Sequence, residues 1–475
     1  MSKPECSIVW FRDDLRLSDQ PALSAAAQSG LPLIALYIAD ANPALRPLGG
    51  AAKFWLHHSL AALDADLRQI GGQLTLRIGD SSEVWRELLN QYDIKTAHWC
   101  RRYGQNERDI DARIKAELKA SGVDVHSHNG HLLFEPWQVV NKTGGPFKVF
   151  TPFWRAALSG PPPATPLPAP TRLNGLAAKG EPLEVLNLLP TKPNWSAGLR
   201  QSWHIGEAGA IARLSDFLDH GIKGYKTNRD RPDLPATSRL SPHLRFGEIS
   251  ARSIFHAVNI GMDSGAIARE DGLKFTAELG WREFSYALLF QFPDLATQNF
   301  QARFDGFPWQ GADPALVRAW QRGQTGYPLV DAGMRELWQT GTMHNRVRMV
   351  VASFLIKHLM IDWRIGENWF WDTLVDADPA SNAASWQWVA GSGADAAPFF
   401  RIFNPVIQGE KFDPNGDYIR KFVPELADCP TKFIHSPWER PATPGHRSGL
   451  SYPSPIVDHA EARDRALRAF QELDT

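Results

Sequence analysis

Cysteine is scarce in this chain of 475 residues. The three cysteines, Cys6, Cys100 and Cys429, lie far apart, without a CxxC pair or a histidine cluster at ligand spacing. This excludes a disulfide scaffold, argues against a structural zinc site and favours a reducing compartment. Long apolar runs are also missing. No run reaches the roughly 18 residues of a membrane span, and charges interrupt the N-terminal segment before any signal-peptide core could form. We therefore expect a cytoplasmic protein.

Excess charge of either sign is absent as well. The chain has 51 Lys and Arg against 52 Asp and Glu, a formal net charge of −1. Net charge therefore does not indicate a nucleic-acid binder, and any basic surface has to be local. No GxGxxG motif follows the first predicted strand, which argues against an ordinary dinucleotide site. Tryptophan is instead in marked excess, with 18 residues.

Predicted strands and helices alternate over about the first 130 residues. Short apolar runs predict strands at residues 6–11, 31–38, 73–78, 96–100 and 123–128. The segments between them predict helices at residues 21–28, 53–70, 83–91 and 106–121. This alternation indicates an α/β domain with a parallel, doubly wound sheet.

The length of the chain predicts more than one domain, because 475 residues are too many for one core. Residues 160–193 are rich in Pro and predict an irregular connection between domains. From residue 206 onward the sequence predicts helices and no series of strands. We place the α/β domain at residues 1–132, a linker at 133–200 and an all-α domain at 201–475.

Residues 342–410 concentrate tryptophans, arginines, acids and amides. Asn345, Arg348 and Met349 stand at positions i, i+3 and i+4 and so share one helix face. Trp386 and Trp388 would point to opposite sides of a helix, because two residues turn by roughly 200°. Singly, such tryptophans are more often core residues and such Arg–Asp pairs structural. Together the set indicates a cofactor and a substrate.

A hydroxyl-rich segment precedes this stretch. Thr237, Ser238 and Ser241 surround Arg239, ahead of a helix expected to begin near Phe246. Hydroxyls, fresh backbone amides and a guanidinium suit a pyrophosphate. Taken alone, the segment is better explained as a Ser/Thr helix N-cap.

Glu278, Trp281 and Arg282 also share one face of a predicted helix. A carboxylate, a flat aromatic ring and a guanidinium together can contact a base edge, stack on a base and hold a phosphate. The alternative is an ordinary i,i+4 surface pair of Glu278 and Arg282.

Six segments of the chain resemble the DNA photolyase and cryptochrome family, in the family's order and over nearly the whole chain. They are WFRDDLRLSD, TSRLSPHLRFGEIS, ELGWREF, GYPLVDAGMRELWQTGTMHNRVRM, LVDADPASNAASWQW and FFRIFNP. The resemblance implies an N-terminal antenna domain and an all-α domain that binds FAD, used in its reduced form FADH⁻.

The resemblance also assigns cofactor contacts. Those near the flavin phosphates are Tyr225, Thr237, Ser238, Arg239, Leu240 and Ser241. Those near the ribityl chain and the isoalloxazine ring are Asp376, Ala377 and Asp378. Arg348 would pair with Asp376 beneath the ring, and Asn382 would face flavin N5.

The substrate residues implied for cyclobutane pyrimidine dimers are Glu278, Trp281, Asn345, Met349 and Trp388. Enzymes specific for six-four lesions typically have His where Asn345 and Met349 stand. Plant-type cryptochromes usually have Asp in place of Asn382, Tyr in place of Trp388 and Val in place of Met349. The GYPLVDAGMRELW segment nevertheless resembles the plant cryptochrome pattern, and Thr342 replaces a Trp that is frequent in the commonest bacterial photolyases. A plant-like bacterial branch, the class III photolyases, fits both observations.

The resemblance implies light-driven repair of pyrimidine dimers in DNA. The DNA contacts, independent of sequence, would come from Arg229, Arg282, Arg346 and Arg401. Flavin photoreduction would use Trp386 and Trp363, with Trp309 as the distal residue and Trp320 and Trp338 as substitutes.

Asn106 and Glu107 match a segment that contacts a methenyltetrahydrofolate antenna, and a deazaflavin is the alternative. We expect a monomer that needs no metal and no membrane. The rival function is a blue-light photoreceptor that signals through a protein partner.

Overall fold

The structure, a computed structural model, describes residues 3–396, 400–441 and 452–474. Its strands are β1 (Glu5–Phe11), β2 (Leu33–Asp40), β3 (Leu74–Gly79), β4 (Asp93–Cys100) and β5 (Asp124–His128). The helices that alternate with them are α1 (Pro21–Gln28), α2 (Gly50–Gln69), α3 (Ser81–Gln91) and α4 (Gln105–Ala120).

Every later element with regular structure is a helix in the described residues. The first group is α5 (Phe150–Ser159), α6 (Ala197–Ser202), α7 (Glu207–Asp216), α8 (Tyr225–Asn228), α9 (Ser241–Arg245), α10 (Ala251–Asp263) and α11 (Arg269–Gln291). The second group is α12 (Pro314–Gln321), α13 (Pro328–Thr340), α14 (Asn345–Ser353), α15 (Trp363–Thr373), α16 (Ser381–Ala390), α17 (Pro405–Phe412), α18 (Asp417–Phe422) and α19 (His459–Gln471). Two π-helical segments, Phe217–Gly221 and Phe354–His358, continue α7 and α14.

The chain divides into two compact units. Unit 1 comprises Met1–Lys223 and Ser238–Pro293, and unit 2 comprises Gly224–Thr237 and Asp294–Thr475. The five-stranded sheet lies in unit 1. None of the helices in the described residues is long and apolar enough to span a bilayer.

The sheet is parallel throughout, with strand order β3-β2-β1-β4-β5. This is the doubly wound arrangement predicted from the alternating pattern, and the predicted fold class is confirmed. Side chains of Trp10, Trp85 and Trp99 pack together in the core of unit 1, with ring centroids 5.8–6.2 Å apart. β1 is buried almost along its whole length, which accounts for its continuous apolar sequence.

The core of unit 2 joins α12 to α16. Each of these helices contributes an almost fully buried side chain, respectively Trp320, Val330, Val347, Trp363 and Trp386. The tryptophan excess therefore serves packing in both units as well as any chemistry.

The Pro-rich connection forms more hydrogen bonds with the α/β part of the chain than its composition predicts. Leu173 N donates to Ile70 O at 2.7 Å, and Leu33 N donates to Asn174 O at 2.7 Å. Leu176 N donates in turn to Leu33 O at 2.8 Å. The segment is thus hydrogen-bonded to the sheet in unit 1 at β2 and beyond α2.

Some predicted limits were wrong. The second strand begins at Leu33 rather than at residue 31, because Pro32 has no N–H for a ladder. The helix expected near Phe246 was also wrong, because α9 ends at Arg245 and α10 begins at Ala251. Gly247 separates them with φ +66°, and a Cβ added there would lie 2.1 Å from Asp13 O. The close approach demands glycine, and the left-handed backbone of Gly247 does not continue the helix.

Candidate functional site

One face of α14 is left uncovered by the core of unit 2. Asn345 is exposed and Arg348 and Met349 are half-buried, whereas Val347 and Val350 are buried on the opposite side. The prediction that the three residues share a helix face is confirmed.

His344 fixes the start of this helix. Its Nδ1 accepts a hydrogen bond from Arg346 N at 3.2 Å, and its own N donates to Glu336 Oε2 at 3.2 Å. Burial lowers the pKa of His344 to about 4, with the neighbouring arginines adding to the effect and Asp230 opposing it. The ring is therefore neutral near pH 7, and a neutral ring nitrogen can act as the capping acceptor.

Arg348 and Asp376 form the pair predicted for them. Arg348 Nη2 lies 2.9 Å and 3.1 Å from the two carboxylate oxygens of Asp376. The Arg348 side chain also donates from Nε to Met343 O at 2.7 Å and from Nη2 to Thr342 Oγ1 at 3.2 Å. The Asp376 side chain is 3% exposed and that of Arg348 24%. The pair is thus a fixed, largely desolvated group rather than a surface ion pair.

Asp378 caps α16. Its Oδ1 accepts hydrogen bonds from Ala380 N at 2.9 Å and Ser381 N at 2.7 Å. Ala377, between the two acids, is buried. A predicted cofactor contact thus also sets the start of the helix that holds Asn382.

Asn382 is oriented by Glu367, which sequence reasoning missed. Asn382 Nδ2 donates to Glu367 Oε1 at 2.8 Å and to Glu367 O at 3.1 Å. Both of these hydrogen bonds use the amide nitrogen, so Oδ1 is left to accept from another donor. A signal was present in the sequence, since Glu367 lies four residues after Trp363 and three before Phe370, on the apolar face of α15.

Trp386 and Trp388 lie on different sides of α16, as predicted for a helix. Trp386 is buried against α15, where a Cβ added at Gly366 would lie 2.1 Å from its ring. Its nearest aromatic neighbours include Phe370 at 4.9 Å and Trp320 at 6.3 Å between ring centroids. Trp388 is half-buried, and its Nε1 donates to Asp395 O at 3.0 Å.

The other predicted relay residues have separate surroundings in unit 2. Trp363 is fully buried and its Nε1 donates to Asn299 Oδ1 at 3.0 Å. Trp309 is half-buried beside Phe307, with ring centroids 4.4 Å apart. Trp338 is 54% exposed and stacks on Trp369 at 6.3 Å. Trp320 has its ring centroid 6.3 Å from that of Trp386, which keeps it as a candidate to replace a predicted relay residue. The order of the relay stays a prediction.

Two predicted DNA contacts in unit 2 are brought together by Asp230. Arg346 Nη2 lies 2.9 Å from Asp230 Oδ2, and Arg229 Nε lies 3.8 Å from Asp230 Oδ1. The Arg346 guanidinium also stacks over Phe412, 4.5 Å from the ring centroid. Arg401 is exposed, and its carbonyl oxygen accepts a hydrogen bond from Lys357 Nζ at 2.5 Å.

The predicted phosphate segment crosses from unit 2 into unit 1. In unit 2, Tyr225 is buried with the Arg229 guanidinium 5.7 Å from its ring centroid, and Thr237 is half-buried. In unit 1, Ser238 Oγ accepts from Leu240 N at 3.4 Å. The structure places Leu240 as the cap residue and Ser241 as the first residue of α9.

Arg239 has a left-handed backbone, with φ 53°, which is uncommon for a residue with a side chain. Its guanidinium lies 4.4 Å from the ring centroid of Trp203. The segment thus holds an arginine in a strained conformation between hydroxyl groups. Such strain is typical of functional loops.

The predicted substrate residues of unit 1 lie on α11. Glu278 Oε1 is 3.1 Å from Lys274 Nζ, and the Glu278 side chain is 27% exposed. Trp281 stacks face to face with Phe150, another residue missed by sequence reasoning, with centroids 3.8 Å apart.

The Arg282 guanidinium is hydrogen-bonded within the protein, unlike a side chain that is free to contact a phosphate. Its Nη1 donates to His131 O at 2.9 Å, its Nη2 lies 2.6 Å from His131 Nε2, and Nη1 lies 3.4 Å from Glu283 Oε1. The Arg282 side chain is 10% exposed. Because these donors point into the protein, the geometry favours a structural role, and its DNA contact stays a prediction.

The predicted antenna residues serve the local fold of unit 1. Asn106 Nδ2 donates to Ala44 O at 2.7 Å, and Glu107 Oε2 accepts from Gly104 N at 3.1 Å at the start of α4. Burial raises the pKa of Glu107, although Arg102 opposes that shift. Glu107 is thus a capping residue whatever else it contacts.

No group of three or more His, Cys, Asp or Glu residues within 3–396, 400–441 and 452–474 is arranged to hold a metal ion. Of the FFRIFNP segment, Phe399 lies outside these residues.

Comparison with known proteins decides the family. The family described as DNA photolyase matches residues 7–171, and the FAD binding domain of DNA photolyase matches residues 275–472. The chain belongs to the DNA photolyase family. The resemblance inferred from six sequence segments is confirmed, and the matched flavin domain includes α12–α19.

Relatives of this photolyase-family chain include photolyases and a cryptochrome. It is 53% identical to a deoxyribodipyrimidine photo-lyase from Agrobacterium fabrum, over 98% of this chain and 97% of that protein. It is 40% identical to Cryptochrome-1 from Arabidopsis thaliana, over 98% of this chain and 70% of that protein. A crystal structure of a bacterial class III photolyase from Agrobacterium tumefaciens is similar with a TM-score of 0.95 and 52% identity, covering 100% of this chain and 98% of that one.

The residues of unit 2 fit a flavin. The Arg348–Asp376 pair is fixed and mostly desolvated, and the amide nitrogen of Asn382 is already engaged by Glu367. An acceptor oxygen, Asn382 Oδ1, is thereby available for a ring N–H. This arrangement suits a planar heterocycle that has both donors and acceptors.

Proposed function

We propose that the protein repairs cyclobutane pyrimidine dimers in DNA with blue light, using reduced FAD. The observation that supports this most directly lies on α14 and α16. Asn345 is exposed and Met349 and Trp388 are half-buried, whereas Asp376 and Asn382 are buried and the half-buried Arg348 is paired with Asp376. One short part of the chain thus offers separate surroundings for a substrate and for a flavin.

Reduced FAD, when bound, would supply light-driven electron transfer to the dimer. Asp376 and Arg348 would hold the flavin ring, Asp378 would contact the ribityl part, and Asn382 would offer Oδ1 as an acceptor to N5–H. Tyr225 and residues 237–241 are each proposed as phosphate contacts, through hydroxyls and backbone amides.

The dimer has to leave the duplex before it can be bound, as is general for photolyases. Trp281, Trp388 and Met349 give it apolar surfaces, and the Asn345 amide pairs with the pyrimidine edge. Glu278 hydrogen-bonds the pyrimidine edge, either as a protonated carboxyl that donates to a carbonyl oxygen or as a carboxylate that accepts from N3–H. Donation from the protonated form stabilises the charge that develops on the carbonyl. These groups contact the dimer itself, so they need no readout of the flanking sequence.

DNA affinity comes from Arg229, Arg346 and Arg401. Asp230 holds two of these guanidinium groups in place before DNA binds. Contacts between guanidinium groups and phosphates give affinity without base discrimination. We propose a monomer that binds DNA through this basic group in the cytoplasm.

The antenna proposal is methenyltetrahydrofolate near Asn106 and Glu107, with a deazaflavin as the alternative. The α/β antenna domain is proposed at residues 1–132, the linker at 133–200 and the FAD-binding catalytic domain at 201–475. Absorption spectra of the purified protein distinguish the two chromophores from each other and from FAD alone.

The central experiment uses an oligonucleotide with one thymine dimer, reduced protein and blue light. Restored thymines, seen as recovered absorbance and as a product by chromatography, support repair. A dark sample and an undamaged oligonucleotide are the controls. A flavin that photocycles without restoring thymines would instead support the photoreceptor alternative.

The photoreceptor alternative is favoured by the 40% identity to Cryptochrome-1. Three residues argue against it in this chain, namely Asn382, Trp388 and Met349, which match the repair pattern. Their side chains bear directly on the proposed flavin and substrate contacts, so the repair function is preferred.

A further inference from the structure

The ring of Phe150 lies flat against the ring of Trp281. Their centroids are 3.8 Å apart and the planes differ by 10°. Phe150 is buried and Trp281 is half-buried, so the phenyl ring is the inner member of the stack. Aromatic pairs in proteins more often adopt offset or edge-to-face arrangements. A parallel contact this close indicates that the two rings are held in place by their backbones.

Those backbones are fixed by close packing of α5 on α11. The indole of Trp154 lies over Gly280, where an added Cβ would meet its Cδ2 at 2.6 Å. Phe153 packs on Phe284 with centroids 5.3 Å apart. Trp154 thus packs directly against the turn of α11 that bears Trp281, whereas Phe153 contacts α11 at Phe284, about one turn further along.

An indole ring has two faces, and Phe150 covers one of them. A base that stacks on Trp281 has to use the other face. Contact with the phenyl ring restricts rotation of the indole about its side-chain bonds, so the other face has a preferred orientation before any ligand arrives. Fixing a side chain in its bound conformation lowers the entropic cost of binding.

We propose that Phe150 is a positioning residue that sets the Trp281 ring for stacking on the flipped pyrimidine dimer. This inference rests on the proposed repair function. Phe150 does not itself touch the dimer. Its effect is confined to lesion recognition and leaves phosphate contacts and flavin binding unchanged.

The test compares Phe150→Leu with Phe150→Tyr, which keeps the ring, and with Phe153→Leu, a control on the same helix. Phe153 is buried and contacts Phe284, and the proposal gives it no part in setting Trp281. The dissociation constants for a dimer-containing and an undamaged oligonucleotide are measured for each holoprotein, together with Tm and FAD content. Phe150→Met, of similar volume but without a ring, replaces Phe150→Leu should that variant not fold.

Phe150→Leu is expected to weaken dimer binding by about three- to ten-fold, the range that corresponds to one aromatic pair. Binding of undamaged DNA and FAD content stay at the wild-type level, and Phe150→Tyr restores discrimination. Phe153→Leu is expected to lower Tm without changing the ratio of the two dissociation constants.

An unchanged ratio in Phe150→Leu would overturn the inference, as would an equal loss in Phe153→Leu, which would mean that packing alone is responsible. Failure of the proposed function is recognised separately, from the wild-type protein. If that protein does not prefer dimer-containing DNA at all, the repair proposal fails and this inference fails with it.

Discussion

Asp376→Asn is expected to destabilise the protein and weaken its hold on FAD. The substitution leaves the shape of the side chain intact but removes the charge opposite Arg348. Breaking a buried ion pair by removing one partner costs about 3–5 kcal/mol. Arg348 is 24% exposed and keeps its bonds to Met343 O and Thr342 Oγ1, so part of its charge remains solvated or paired. We therefore expect a loss of about 2 kcal/mol.

That loss corresponds to a fall in Tm of about 4–8 °C, at roughly 2–4 °C per kcal/mol in a unit of 150–250 residues. The measurement is thermal unfolding of the holoprotein, followed by flavin fluorescence and by circular dichroism, because two compact units can unfold in separate steps. FAD content after gel filtration is measured alongside it and is expected to fall.

Asp216→Asn is the matched control. Asp216 pairs with Arg213 at 3.3 Å, and the two side chains are 59% and 35% exposed. An exposed pair contributes about 0–1 kcal/mol, so Tm should barely move. The reasoning would be refuted by Asp376→Asn retaining both Tm and FAD, or by Asp216→Asn producing a shift of the same size.

Four further predictions concern separate residues. The pKa of His344 is about 4 in the folded protein against about 6.5 in the unfolded chain, so its protonation opposes folding increasingly as pH falls from 6.5 to 4. His344→Asn keeps the helix cap and removes this penalty. The free energy of unfolding of the variant minus that of the wild type, measured by urea unfolding, should therefore be ~2 kcal/mol larger at pH 5 than at pH 7.5. Trp386→Phe should block flavin photoreduction in vitro, followed by absorbance under blue light, and rapid reduction would contradict the proposed relay. Glu278→Gln should lower the quantum yield of repair without loss of FAD, and an unchanged yield would exclude its role. Arg401→Gln should reduce the slope of log Kd against log salt by about 0.7–0.9, as expected for one phosphate contact, with little effect on the preference for dimers.

The sheet could be predicted because its strands are buried on both faces, which leaves continuous apolar runs in the sequence. The limits of its elements depended on finer effects. Pro32 delays the start of β2 because it has no N–H, which is a local effect visible in the sequence. Gly247 ends a helix through its left-handed φ, and Asp13 approaches too closely for any side chain there. That contact cannot be found from periodicity, since it depends on where a distant segment lies.

In the candidate site, too, some features could be predicted from the sequence and others depended on tertiary contacts. The shared face of Asn345, Arg348 and Met349 follows from helical spacing, and the pairing of Arg348 with Asp376 was implied by the family resemblance. The partners that orient site residues were not predicted. In the chain, Glu367 is 15 residues from Asn382, Asp230 is 116 residues from Arg346, and Phe150 is 131 residues from Trp281. Pairing over such separations depends on the tertiary fold.

Asn382 and Trp386 lie on the same helix, α16. Four residues at 1.5 Å per residue separate their Cα atoms by about 6 Å along the axis. Local backbone hydrogen bonds therefore fix the spacing between the proposed flavin contact and the first relay tryptophan, and packing elsewhere has little influence on it. The proposed substrate residues Glu278 and Trp281 lie on α11, so no shared helix fixes their distance from Asn382. Mild denaturant should consequently abolish repair at concentrations where photoreduction still proceeds, so that the protein loses its enzymatic activity before its photochemistry.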